Sequence, residues 1–309
     1  MKATLESAPS AGAPADEDSA DDAFGTAFGP AAASLLRRLE RTAVSPFGLQ
    51  PRVRFSIGER AETNGRMIFL PLESLDASEC GDASVQSGAF DACRKDPAKQ
   101  DGNSAARAAY LRASGLHEAF HVRYSDFRVF SQIARFSPQA LLLANIFEDV
   151  RVDRLGLALH PEYHLARAAD LQRLAFHGRG VFAEGAGDAF WRLQRLILLE
   201  AYEAGFFMKF PLTSHRRARA ALGASLGADA LWAVIRAVRE APYADPARLS
   251  DPAFAVEALG ALLESLRSEA RRLAARVRLH SNATQTEKAQ LAVLGELLDR
   301  ISEDASEAS

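Results

Sequence analysis

Cysteine is almost missing from this chain: 309 residues include two, Cys80 and Cys93, thirteen apart in a Gly- and Ser-rich stretch. Two thiols at that spacing make neither a disulfide framework nor a cysteine-based zinc site, so a reducing, cytoplasmic setting is expected. A strong net charge is missing too. The formal charge of −3 gives no electrostatic reason to expect nucleic acid or an anionic membrane surface as a partner. Long apolar runs are also absent. The longest, such as "ALLLANIF", fall far short of the roughly 20 residues of a membrane span. The opening "ATLESAPSAGAPADEDSADDAFG" is acidic and lacks the apolar centre of a secretory signal. What remains is globular composition, 48% hydrophobic and 25% charged, on a chain long enough for one large or two modest domains.

Residues 1–30, rich in Ala, Ser, Pro, Asp and Gly, are expected to be disordered. A short helix, "PAAASLLRRLERTA", follows. Val53, Phe55 and Ile57 then alternate with polar residues as on a half-buried strand. Asn64-Gly65 is a turn signal, and Met67-Ile68-Phe69-Leu70 reads as the returning strand, closed by Pro71. Residues 73–104 are polar and read as a long loop, with Ser104 placed to cap a helix running from Ala105 past His121. Ser137-Pro138 is a second helix start, a hydroxyl cap followed by proline in the first turn, for a helix ending near Leu159. From there the pattern is helical to about residue 303. The expected fold is α+β and predominantly α: a zincin-like core with a small β-hairpin ahead of the motif helix, then a helical C-terminal region. The boundaries are 31–175 for the metal-binding domain and 176–309 for the helical region packing on it.

The chemistry is carried by "GLHEAFHVRYSDF", residues 115–127. On a helix, His117 and His121 lie on one face one turn apart, so both imidazoles can aim at one point. Glu118 is rotated about 100° from His117; it cannot share that point, but it can reach a water beside it. Two ligands and a general base from a single turn are what H-E-x-x-H spacing supplies, and zinc is the expected ion. The plain alternative is an unliganded pair of histidines on a helix surface.

A catalytic zinc needs a third protein ligand. A glycine turn after the second histidine, with a ligand ten residues after the first, is disfavoured: position 124 is Tyr, position 127 is Phe, and Asp126 is one residue off register. The next helix offers "NIFEDVRVDR". Glu148 and Asp149 are adjacent and point about 100° apart, so only one can be the ligand. Glu148 is the expected one, as glutamate-type zincins complete their site from a neighbouring helix. Asp149 shares a face with Asn145 and Asp153 and is placed to support a ligand histidine. Tyr124 and His164 are the candidates for stabilising an oxyanion, with His160 and Tyr163 beside the latter in "HPEYH".

"NGRMIFLP", "HEAFHVRYSDF" and "NIFEDVRVDRLGLALHP", in that order, resemble the metallopeptidase-like N-terminal region of the large cobaltochelatase accessory subunit and its von Willebrand factor A-associated relatives. The resemblance covers roughly residues 50–175. It implies a site at His117, His121 and Glu148 with Glu118 as base, and a nearby role for Asp126 and Asp149. Full-length members continue into an A-type domain with a D-x-S-x-S motif, which this sequence lacks, so chelatase assembly is not carried over.

The function expected from these residues is zinc-dependent hydrolysis of a peptide bond, with a peptide or protein substrate held along the Met67–Leu70 strand by strand addition. The rival is a non-catalytic, zinc-stapled interaction module that docks a protein partner through the C-terminal helices, where Leu262, Leu263, Leu266 and Leu273 are either core or interface.

Overall fold

The structure is a computed structural model describing residues 54–57, 62–63, 67–70, 113–161, 163–177, 188–210, 212–279 and 283–302. The N-terminal segment, the short helix after it, the 73–104 loop, both cysteines, Ser104 and Asn64-Gly65 lie outside the described residues.

Three short strands come first: β1 (Arg54–Ile57), β2 (Glu62–Thr63) and β3 (Met67–Leu70). Their order is β1-β3-β2. Here the sequence expectation is corrected. The Met67–Leu70 strand is not the return arm of a hairpin with residues 54–57, because β1 and β3 run parallel, Phe55 opposite Ile68 and Ile57 opposite Leu70. The chain reverses twice between them, and the antiparallel neighbour of β3 is the two-residue β2, Thr63 opposite Ile68. A polar pair so short leaves no alternation to read. With a neighbour on each side, β3 is not the open edge that strand addition needs.

The α+β zincin-like core is likewise overturned. Apart from these strands the described elements are helical, and the described core is drawn wholly from residues 113–301. Residues 113–124 form α1. They are followed by α2 (Phe127–Phe136), α3 (Pro138–Leu159), α4 (Tyr163–His177), α5 (Ala189–Gly205), α6 (Leu212–Leu226), α7 (Ala228–Arg239), α8 (Pro246–Leu249), α9 (Phe254–Leu279) and α10 (Gln285–Ser302). None is long and apolar enough to cross a membrane.

The centre is α3, started as its sequence dictates. The Ser137 hydroxyl accepts from the Ala140 amide at 3.0 Å, and Pro138 occupies the first turn, a cap worth about 1 kcal/mol. Its buried residues, Leu143, Ala144, Ile146, Phe147, Val150 and Val152, surround the helix. A helix apolar all round belongs inside. It packs against α2, α4, α5, α8, α9 and α10, which forces its polar residues to find partners within the protein. On α9, Leu262, Leu266 and Leu273 are buried and Leu263 packs against the core. These leucines hold the bundle together, and no docking face is made of them.

Helix α1 meets α3 through Phe120, whose fully buried ring lies against Gly156; a Cβ at that glycine would run into the ring. Phe120 is also edge-on to Tyr163, ring centres 5.1 Å apart. Gly156→Ala gains up to about 1 kcal/mol of helix propensity, but the immobile ring makes the site overpacked, which costs about 1–3 kcal/mol. The clash wins, and a lowered urea midpoint at unchanged m-value is the expected result.

Candidate metal centre

Ala113, Leu116 and Phe120 put one face of α1 into the core, while His117, Glu118 and His121 on the other sides are only 6%, 6% and 8% exposed. The motif is therefore buried on its polar side as well, against α3. The pairing runs in reverse order along the two helices. His117 Nδ1 is 2.7 Å from Asp153 Oδ1, and His121 Nε2 is 3.0 Å from Asp149 Oδ1. Advancing one turn on α1 is retreating one turn on α3, so the helices are antiparallel and the four-residue spacing on each makes both contacts at once.

His117, His121 and Asp149 form a group able to hold a metal ion. The two Nε2 atoms are 3.2 Å apart, and Asp149 Oδ1 is 3.0 Å from one and 3.7 Å from the other. Ligands at about 2.0–2.1 Å from a tetrahedral ion are about 3.3–3.4 Å from each other, which these separations bracket. Asparagine Asn145 steadies the acid by donating to Asp149 Oδ1 at 3.1 Å.

The opposite ring nitrogens are fixed as donors. His117 Nδ1 has the Asp153 carboxylate as its acceptor. His121 Nδ1 is 3.0 Å from the Ser125 hydroxyl, which spends its own proton on Glu148 Oε1 at 2.5 Å and so accepts from the ring. An ion binding there would displace the protons that His117 and His121 give Asp149, and these partners would then leave both Nε2 lone pairs directed at the shared space.

Asp153, fully buried, also accepts from Tyr163 (2.7 Å), Arg167 Nε (3.0 Å) and Tyr202 (3.0 Å). Burial alone would raise its pKa, but Arg167, His117 and Tyr163 hold it well below the usual carboxylate range. Asp149 is lowered in the same way, burial being outweighed by hydrogen bonds from His117 and His121. Burial and the Arg167 guanidinium push His117 down, yet Asp153 and Asp149 prevail and raise it to about 10. Glu118 goes up, chiefly through burial, and has no hydrogen-bond partner among the described residues. Among the described residues, Asp149, Asp153 and Glu118 set three carboxyl groups against the guanidinium of Arg167. Metal binding would require both histidines neutral, and with Glu118 ionised as well the two excess negative charges would match one divalent cation.

The structure places the expected third ligand elsewhere. Glu148 faces away from the histidine pair and forms a buried pair with Arg151, Nε to Oε2 and Nη2 to Oε1 both at 2.6 Å. Arg151 also donates to the Tyr124 carbonyl (2.7 Å) and the Leu249 carbonyl (2.8 Å). Glu148 reaches the centre only through Ser125, so it and Asp149 occupy each other's expected positions. Tyr124 enters this network by its backbone; its half-buried ring lies near Phe120, with its pKa raised by burial. His164 is not in the cluster, its Nε2 lying 3.1 Å from the Phe206 carbonyl. Asp126 caps α2, accepting from the Arg128 amide and guanidinium. Sequence reasoning missed Arg167 and Tyr202 and gave Tyr163 only a loose place. The available signal was Tyr163 and Arg167 one turn apart, both reaching Asp153.

A second group, Glu200, Glu203 and His215, also has ligand atoms close enough for an ion. Two guanidiniums already fill it: Arg219 binds Glu200 (2.6 and 2.9 Å) and Arg239 binds Glu200 and Glu203 (both 2.5 Å). Burial would raise Glu200, but His215, Arg219 and Arg239 bring it down to about 2. With both carboxylates neutralised, nothing there calls for a cation.

Comparison with protein families, curated proteins and solved structures finds no match. The site is read from its own chemistry.

Proposed function

We propose that this chain is a zinc-dependent hydrolase that cleaves a peptide bond, with His117, His121 and Asp149 as metal ligands and Glu118 as general base. The observation that carries this reading is the triangle of donor atoms at 3.0–3.7 Å with the Glu118 carboxyl one residue from the first histidine, buried and without a hydrogen-bond partner among the described residues.

Zinc in such a triad lowers the pKa of a bound water towards ~7 and polarises a carbonyl. Glu118 takes the proton from the attacking water as the C–O bond forms, then gives it to the amine nitrogen as the C–N bond breaks. Its raised pKa belongs to the site without the dication, whose charge favours the carboxylate form. Asp153 and Ser125 hold the two rings in the tautomer that keeps Nε2 available.

A second reading rests on burial: His117 and His121 are almost wholly covered, as in a structural site where an ion clamps α1 onto α3. One experiment separates the two. Glu118→Gln is expected to keep one zinc per chain while cleavage of a peptide library falls ~10²–10⁴-fold. Cleavage at the wild-type rate by that variant would remove Glu118 from the mechanism. One bound zinc, a lower melting temperature with chelator and no cleavage by the wild type would establish the clamp.

A further inference from the structure

We propose that, independently of the metal centre, Arg154 and Phe207 form a docking site for the acidic segment Asp16–Phe28 of the same chain. Phe206 and Met208 are buried, and Phe207 between them has φ 55° and is 63% exposed. Left-handed backbone at a helix end is where glycine usually sits, and a bulky residue is strained there. A ring turned to solvent adds no core packing to offset that strain. Strain of this kind gathers at functional positions. The ring lies over Arg154, whose guanidinium carbon is 4.5 Å from its centre. Arg154 is equally unusual. Its Nε is buried with no hydrogen-bond partner, and no carboxylate among the described residues pairs with the guanidinium. Burial lowers its pKa. On α3 the residues three and four positions away are Val150, Arg151, Leu157 and Ala158, none of them acidic. An aromatic face against an unpaired guanidinium suits a carboxylate: the ring covers one side of the cation, and its planar fork takes both oxygens.

The occupant follows from charge on both sides. Between Ala204 and Ala228 the chain carries Lys209, Arg216, Arg217 and Arg219 and no acid, although Arg219 is engaged by Glu200. From Ala3 to Leu36 it carries six acids and no Lys or Arg. Five of the six, Asp16, Glu17, Asp18, Asp21 and Asp22, fall within seven residues, just ahead of Phe24 and Phe28. The segment therefore brings both chemistries that the site asks for, a carboxylate for Arg154 and an aromatic ring for Phe207. Leu165, 77% exposed, adds apolar surface at the same end of the bundle. It follows His164, whose ring packs on Phe206 with centres 4.9 Å apart. Segment and site share one chain, so they meet at a local concentration that a free peptide does not reach.

The test uses the full chain and a fluorescein-labelled synthetic peptide of residues 14–30, with binding read by fluorescence anisotropy. In one variant the resident segment is silenced by Asp16→Asn, Asp18→Asn, Asp21→Asn, Asp22→Asn, Phe24→Ala and Phe28→Ala together. The silenced chain is expected to bind the peptide at least about tenfold more tightly than the wild type, whose own segment occupies the site. Phe207→Gly or Arg154→Gln, added to the silenced chain, is expected to weaken that binding about tenfold. Phe207→Gly also relieves the left-handed strain, so its melting temperature should not fall and lost binding is then not lost folding. Equal peptide affinity in wild type and silenced chain overturns the resident segment as the occupant and leaves the site to an acidic peptide from another chain. No binding by the silenced chain, or binding that neither Phe207→Gly nor Arg154→Gln weakens, overturns the site itself.

Discussion

Asp149→Ala is expected to abolish stoichiometric zinc binding, raising the dissociation constant by well over a hundredfold. Loss of a residue that merely orients a ligand costs 10–100-fold in affinity, and Asp149 supplies a donor atom, at 3.0 Å from His121 Nε2 and 3.7 Å from His117 Nε2. Two imidazoles alone do not complete a protein zinc site. The side chain of Asp149 is 19% exposed, so the metal-free variant should still fold, at a lower urea midpoint because His117 and His121 lose the carboxylate that accepts from them. Competition with a chromophoric chelator measures the affinity. Zinc held by the variant as tightly as by the wild type would exclude Asp149 from the ligand set.

Glu148→Gln is expected to do the reverse, although it is the adjacent residue. Glu148 and Arg151 are each 1% exposed and share two hydrogen bonds of 2.6 Å. Neutralising one member of such a pair leaves an uncompensated charge in the core, at a cost of about 3–5 kcal/mol. Arg151 further ties the end of α1 to the end of α8 through the Tyr124 and Leu249 carbonyls, so the loss should appear as a cooperative drop in urea midpoint. The amide oxygen of Gln can still accept from Ser125, so zinc affinity should stay within about tenfold of wild type. A variant of wild-type stability that has lost its zinc would restore Glu148 to the site.

These opposite expectations for neighbouring positions show where sequence reasoning stopped. The H-E-x-x-H spacing put His117 and His121 on one face, and the "NIFEDVRVDR" helix was correctly identified as the element they face. Periodicity, however, fixes which residues of a helix share a face, not which face turns towards a given neighbour. For α3 the difficulty was greatest, because it is apolar on all sides and no amphipathic stripe marks the inward direction. The decisive clue was the matching spacing: Asp149 and Asp153 are one turn apart, as are His117 and His121. Glu148 pairs with no such second acid. Helix starts were legible, Ser137-Pro138 above all, because capping is local chemistry. The strand pairing was not, because parallel pairing of β1 with β3 depends on a chain reversal around a two-residue strand that has no pattern of its own.

The notch at Gly156 that receives Phe120 gives the site a mechanical property. Because histidines and acids recur every four residues on facing helices, sliding α1 by one turn would still bring a histidine opposite an acid, His117 to Asp149, while stranding His121 beside Asn145. Electrostatics alone would tolerate this wrong setting. A bulky ring seated in a gap only a glycine can leave acts as a pawl, and it confers on a repeating ladder of charges a single permitted alignment.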